Sequence, residues 1–387
     1  MKTKLILFSI LLAVLASCGK TEKPLAPLSE QHFNFEIYDS LVVDYLGNLF
    51  LADISEDEKK FLLIDQQTDT IFVTNDEGKI LHKYTRKGDG PGYYQQTRLG
   101  PPQFLTDSEI IFPAYDGFHV YSLSGEPVKT YSPDFDIRVS LINLFKNNLI
   151  IQEEQIIFPF EGRIADEYGV EGREFQQKVK KLEVANLISG DFTPALPFPK
   201  ASKFSSAEKS HLNINYALAL SKKDDSLYVA FRNEPVIYSY HLSDLDSPAS
   251  IYKISFPEFI EKEPKDADKF GQYEMKDVYT GSLNQVFALD NNQFLANYAR
   301  GLTDEEFEQI SSEFSDDNSK LFEELRKKNT TGWVLYDGSS VSRIIEEHPN
   351  LGFMGKFISK DKIWFSLDFQ EVEKDYSIFY KTKILSK

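Results

Sequence analysis

Beyond residue 33 the apolar residues fall in short runs rich in Val, Ile, Phe and Tyr, each closed by Gly, Asp, Asn or Ser, and the runs recur as a unit. The unit reads short strand, turn, strongly apolar strand, loop, third strand, Gly/Asp/Ser turn, fourth strand, a rhythm of strands and turns rather than of helices. Its clearest copies are FLLIDQQTDTIFVTNDEGKILHKY (61–84), EIIFPAYDGFHVYSLSGEPVKTY (109–131) and SLYVAFRNEPVIYSYHLSD (226–244). Weaker copies are NLIIQEEQIIF with KLEVANLISGDFTPALPF, QFLANYARG with GWVLYDGSSVSRII, and KIWFSLDF with DYSIFYKTKIL. Leading strands precede them as NLFLADI, PQFLTD, SLINLFK, YALALSK, QVFALD and GKFISK. Internal repetition outranks any local assignment. Six four-stranded units predict an all-β fold, a six-bladed β-propeller over residues 33–387.

The units exceed the length of compact blades, so insertions are expected, at 156–181, 202–215, 256–280 and 302–331. Residues 33–38 and 41–45 stand outside the six copies. Because a ring leaves an unpaired edge where its ends meet, an N-terminal strand is expected to complete the last blade; LVVDY also reads as the first strand of blade one. Segment 303–328 breaks the β rhythm. Thr303 with Glu306 forms a capping box, and Phe307, Ile310 and Phe314, then Leu321, Phe322 and Leu325, keep helical spacing. One or two short helices therefore leave blade five, broken near 316–319, and serve either as a lid or docking element or as packing on the rim.

Lys2 and Lys4 precede an apolar run over 5–15, which ends in Leu15-Ala16-Ser17-Cys18. This is a secretory signal, too short to span a bilayer as a stable helix. The Leu-Ala-Ser-Cys order resembles the bacterial lipobox, which implies a signal peptide over 1–17, diacylation of Cys18, and a lipid anchor and tether over 18–32. Cys18 is the only cysteine, so the exported chain has no disulfide and rests on its core, for which 41% hydrophobic and 14% aromatic residues suffice. Within 47–94, GNLFLAD followed by IFVTNDEGKILHKYTRKGDGPGYY resembles the blades of NHL-type and TolB-like six-bladed propellers. With the lipobox, the chain resembles propeller lipoproteins of unknown function common in Bacteroidota. That resemblance implies fold and an outer-membrane location, with Glu22 alone after the cysteine pointing to the periplasmic face. It carries no catalytic residue.

With 43 Lys+Arg against 60 Asp+Glu the net charge is -17, which excludes a nucleic-acid partner. In a four-stranded blade, the turns joining strands one to two and three to four lie on one side of the ring, here the first side, and all other connections lie on the second. The short turns fall on the first side, FKNN of blade three among them, and the long segments on the second. Loops on a rigid scaffold are where binding residues concentrate. Eight of the nine arginines, Arg86, Arg98, Arg138, Arg163, Arg173, Arg232, Arg300 and Arg326, map to that second side. They suit a carboxylate or phosphate ligand, and equally ion pairs with local acids that stitch loops to blades. Tyr115, Asp116, Asn233 and Tyr298, where second strands leave the ring, complete the candidate ligand set of Arg86, Arg98, Arg232 and Arg300; an aromatic beside a polar group suits a glycan or peptide.

A catalytic centre is not legible. The histidines show no metal-ligand spacing, no Gly-x-Ser-x-Gly elbow occurs, and Gly88-Asp89-Gly90-Pro91-Gly92 lacks the Lys-Ser/Thr of a phosphate loop. The expectation is a non-catalytic binding or protein-interaction module without a cofactor. It would be held to the membrane by its N-terminal lipid and present its face to an envelope protein, peptide or glycan. The alternative is a periplasmic hydrolase or lactonase with calcium or another divalent metal in the channel, for which Glu154, Asn233 and Asp368 are the available oxygens.

Overall fold

In the computed structural model the described residues are 27–95, 98–136, 149–163, 167, 169, 172–264, 274–368 and 374–387. The signal, Cys18, Arg138 and the SLINLFK segment lie outside them. Six antiparallel sheets form a ring, a six-bladed β-propeller. Blade one is Leu49–Ile54, Lys60–Asp65, Thr70–Asn75 and Ile80–Tyr84; blade two is Gln103–Phe104, Glu109–Ala114, Gly117–Ser122 and Pro127–Tyr131. Blade four is Leu218–Lys223, Ser226–Phe231, Val236–His241 and Ser250–Lys253.

The second strands read as unbroken apolar runs because both faces of a blade are covered. In Lys60–Asp65, Phe61 and Leu63 pack toward blade six with Trp364 and Phe379, while Leu62 and Ile64 pack toward blade two with Ile110, Phe112 and Tyr121. Alternation along a strand thus distributes side chains between two seams rather than between core and water. Six such apolar clusters, one per seam, make the core.

Blade three departs from the sequence reading. NLIIQEEQIIF is two strands, Ile150–Gln152 and Gln155–Pro159, folded back so that Gln152 opposes Gln155. The turn at Glu153 and Glu154, not FKNN, is therefore this blade's first hairpin. Two solvated carboxylates at its tip, with Glu153 at φ 50°, interrupt a run that otherwise looks continuous. Leu182–Asn186 and Phe192–Ala195 complete the blade.

The ring closes as expected. Phe33–Val43 pairs antiparallel with Ser377–Ser386, Phe33 opposite Ser386 and Val43 opposite Ser377, as the outer strand of blade six beyond Leu351–Ser359 and Lys362–Leu367. Blade five has three regular strands, Ser282–Ala288, Phe294–Ala299 and Thr331–Tyr336. Its fourth position is filled by 341–346, which bonds to Leu335 and Trp333 on one side and, in parallel, to the N-terminal segment on the other. There Ser29 N donates to Val341 O (2.7 Å), Val341 N to Pro27 O (2.9 Å) and Arg343 N to Gln31 O (3.2 Å). Arg343 also grips both carboxylate oxygens of Glu30 at 2.8 and 3.0 Å. One stretch of chain thereby covers two edges that would otherwise be open to intermolecular pairing.

The helical insertion is a pair, Asp304–Glu313 and Asn318–Lys328. The capping box is formed, with Glu306 N donating to Thr303 Oγ1 and Thr303 N to Glu306 Oε2, both at 3.1 Å. The second helix starts on Asp317, whose carboxylate accepts from Lys320 N. Only Leu325 of the pair is fully buried, so the helices lie on the second side with most of their surface in water. Among the described residues no helix is long and apolar enough to cross a membrane.

Candidate functional site

Most of the second-side arginines are already engaged. Arg86 donates from Nε to Gly125 O, approaches Glu126 at 3.4 Å and lies over the Tyr93 ring. Arg98 Nε holds Asp69 at 2.8 Å. Arg163 is bidentate on Glu183, at 2.9 and 3.0 Å, and caps the Phe135 ring. Arg300 meets Glu258 at 2.7 Å and Glu306 at 2.8 and 3.0 Å, which together with Lys328 holds the Glu306 carboxyl down at about 2. These are the ion pairs that bind loop to blade and helix to rim. Arg173 and Arg326 are exposed on helices.

The polar and aromatic candidates are also engaged or buried. Asp116 accepts from His119 Nε2 at 3.0 Å. Tyr115 packs at the rim of the blade two–three cluster, and Tyr298 is 1% exposed within the blade four–five cluster against Phe256, where burial pushes its phenol up to about 12. Asn233 is saturated: its Nδ2 donates to Ile260 O (3.2 Å) and Gly281 O (2.8 Å), and its Oδ1 accepts from Lys203 Nζ and Lys262 N, both at 3.1 Å. It is a bracket that joins the blade four turn to the connection leading into blade five. The close approach it secures admits no side chain at Gly301, where φ is +89° and an added Cβ would lie 2.3 Å from Gly281 N.

Arg232 is different. Its backbone is fixed, N donating to Ala217 O (2.9 Å) and O accepting from Leu283 N (2.7 Å). Its side chain has no hydrogen-bond or ion-pair partner among the described residues, and Nε and Nη1 are both buried. Burial alone acts on the group and pulls its pKa down to about 10. The neighbouring Glu234 is occupied by Ser202 Oγ and Lys203 N, both at 3.0 Å. Among the described residues the structure therefore separates Arg232, buried and unpaired, from the paired Arg86, Arg98, Arg163 and Arg300 and from the exposed Arg173 and Arg326.

Glu154, Asn233 and Asp368 do not converge. Glu154 sits in the first-side hairpin of blade three, whereas Asn233 and Asp368 follow second strands on the other side. Among the described residues no group of three His, Cys, Asp or Glu is gathered for a metal.

Sequence reasoning missed Lys181, at 1% exposure one of the most buried side chains. Its Nζ donates to Glu161 O at 3.3 Å and lies 4.4 to 5.2 Å from the ring centroids of Tyr216, Phe198 and Phe175. Burial lowers its pKa to about 7, and the aromatic faces supply the attraction that water would. Against Phe204, His211 Nδ1 has no hydrogen-bond partner among the described residues, and burial lowers that ring to about 4. The first side was also undervalued. A cavity of about 620 Å³ opens there between blades one, two and six, lined by Asp53, Glu58, Gln103, Phe104, Leu105 and Lys356 among others. Asp53 is committed within it, accepting from Lys356 Nζ and, at 2.9 Å, from Phe104 N. A second cavity of about 300 Å³ reaches the inner strands, at Ile150, Leu220, Gln285 and Met354, and so lies in the central channel.

Solved structures share this arrangement. A member of the DUF4221 family from Bacteroides vulgatus superposes with a TM-score of 0.62 at 12% identity, over 93% of this chain and 100% of that one. The likeness is one of fold. A Bacteroides fragilis protein described as a candidate for export gives a TM-score of 0.53 at 13% identity, over 94% and 98%. No protein-family model and no curated protein matches the sequence.

Proposed function

We propose that the protein is a lipid-anchored envelope propeller that binds a ligand or protein partner through its second side, without catalysis. The observation that carries this reading is the distribution of chain. Every long connection, including the largely solvated helix pair, lies on the second side, and several exposed apolar residues lie there too: Leu46 (76% exposed), Met275, Phe322 and Phe353 (79%). Exposed apolar residues also occur at first-side turns, Ile188 (65%) among them, so it is the length and exposure of the second-side connections on a rigid ring that mark the binding face. The tether supports the same orientation. Pro27 joins the fold beside Val341, just after the first-side turn of blade five. Eight residues separate it from Cys18, a reach of at most about 32 Å. An anchored molecule would hold its first side nearer the bilayer and present its second side outward.

The test is photo-crosslinking in the native envelope, with a photoreactive residue at Phe322 on the second side or at Asn291 on the first. A discrete adduct from position 322 and none from 291 supports the reading; adducts from 291 alone overturn it. Cys18→Ser should release the protein from membranes, and retention would remove the anchor from the proposal.

A further inference from the structure

We propose that Arg232 is the anion-recognition point of the second side, and that the ligand of this face carries a carboxylate or phosphate group which pairs with its guanidinium. The inference rests on the binding reading above for the choice of face, but its evidence is separate. The chain carries 60 carboxylates against 43 basic groups, so a buried arginine without a carboxylate is the exception. Arg86, Arg98, Arg163, Arg300 and Arg343 all have one. Arg232 has none among the described residues, and its nearest sequence neighbour with a carboxyl, Glu234, is turned to Ser202 and Lys203.

A partly buried guanidinium without a counter-ion is costly, because it has given up water and received nothing in return. Such a group is tolerated where the missing partner arrives with a ligand, since most of the desolvation is then already done and the pair forms in a low dielectric. The stem is pre-positioned: residue 232 is held by Ala217 and Leu283 through its backbone, and Asn233 beside it is saturated. The arm itself is held by no polar contact among the described residues, so its fork has no competing partner to give up when an oxyanion binds. Arginine also suits this task better than lysine, since its planar fork takes two oxygens at once and stays charged throughout the physiological range.

The positive field is local. Lys203 and Lys262 flank the same turn, yet their ammonium groups are spent on Glu261 (2.7 Å) and Asp304. Among the described residues an anion entering here therefore meets one available cation, Arg232, which predicts a single site.

Calorimetric titration of the purified protein with inorganic phosphate, and in a separate arm with succinate, each at ionic strength held constant with chloride, tests the proposal. The expected result is saturable binding of one equivalent in at least one arm, and the arm that responds assigns phosphate or carboxylate chemistry. Arg232→Met should weaken it at least tenfold, and Arg232→Lys, which keeps the charge and loses the fork, should weaken it less. Circular dichroism establishes that both variants are folded, and if the Met variant is not, the Lys variant decides. Absence of saturable binding in both arms up to about 50 mM, a concentration corresponding to barely 2 kcal/mol, overturns the proposal, as does unchanged affinity in the variants. Loss of the anion site with position-322 cross-links intact discards Arg232 alone; anion binding with cross-links only from position 291 discards the reading of the face.

Discussion

Replacing Arg232 with methionine should stabilise the fold. The guanidinium has its pKa lowered from 12.5 to about 10 by burial, with no opposing charge. A folded-state value below the unfolded one means that the unfolded chain binds the proton more tightly. The penalty is fully present at pH 7, below both values, and is relieved only as pH rises from about 10 toward 12.5. At 1.36 kcal/mol per unit the shift corresponds to about 3 kcal/mol. Residual solvent contact and local relaxation reduce this, and methionine retains the packing of the methylenes, so a net gain of about 1–3 kcal/mol is expected. Guanidinium chloride titration followed through the buried Trp333 and Trp364 reads the effect as a higher midpoint at unchanged slope. A loss of more than about 1 kcal/mol at unchanged slope would refute the reasoning, because it would require the guanidinium to make a stabilising contact.

Asn233→Ala should cost about 2–4 kcal/mol, since it strands the Gly281 carbonyl and the Lys262 amide, while Ile260 O keeps Gly281 N and Lys203 keeps Glu261; amide exchange should accelerate first at Lys262. A double-mutant cycle between Arg300 and Glu306 should return a coupling of about 1 kcal/mol, and zero coupling would mean that this ion pair does not hold the helix pair to the rim. His211, held at about 4 against 6.5 in an unfolded chain, is neutral when folded, so stability should fall as pH drops from 6.5 to 4, and His211→Phe should flatten that limb. Lys181, lowered to about 7 from 10.5, binds its proton less tightly when folded, so its contribution should rise between pH 7 and 10.5. Lys181→Met should remove that rise and be more stable at pH 7; an unaltered pH profile would show that the three rings fully replace its water.

The positions of the strands were written locally. Runs such as Phe61–Ile64 and Ile110–Phe112 with turns at Gly78 and Gly125 state where chain is extended and where it reverses, and six repeats leave little choice of architecture. The Thr303/Glu306 capping box likewise announced a helix start from residues three apart. These features depend on near neighbours, which sequence displays directly.

What the ring decided was how distant groups are spent. Arg98 finds Asp69, Arg163 finds Glu183 and Arg300 finds Glu258 across 20 to 42 residues of chain. Nothing in the sequence distinguishes these arginines from Arg232, because pairing depends on which loops the twist of each blade brings together. The same holds for Lys181, whose aromatic surroundings come from a helix, a loop and a 3₁₀ turn of three separate segments. It holds for residues 27–35, whose hydrogen bonds reach more than three hundred positions along the chain. Local pattern sets the strands, since backbone periodicity is a short-range property. Desolvation and charge pairing are properties of the closed ring, and they alone distinguish Arg232, buried and unpaired among the described residues, from the arginines that found carboxylates.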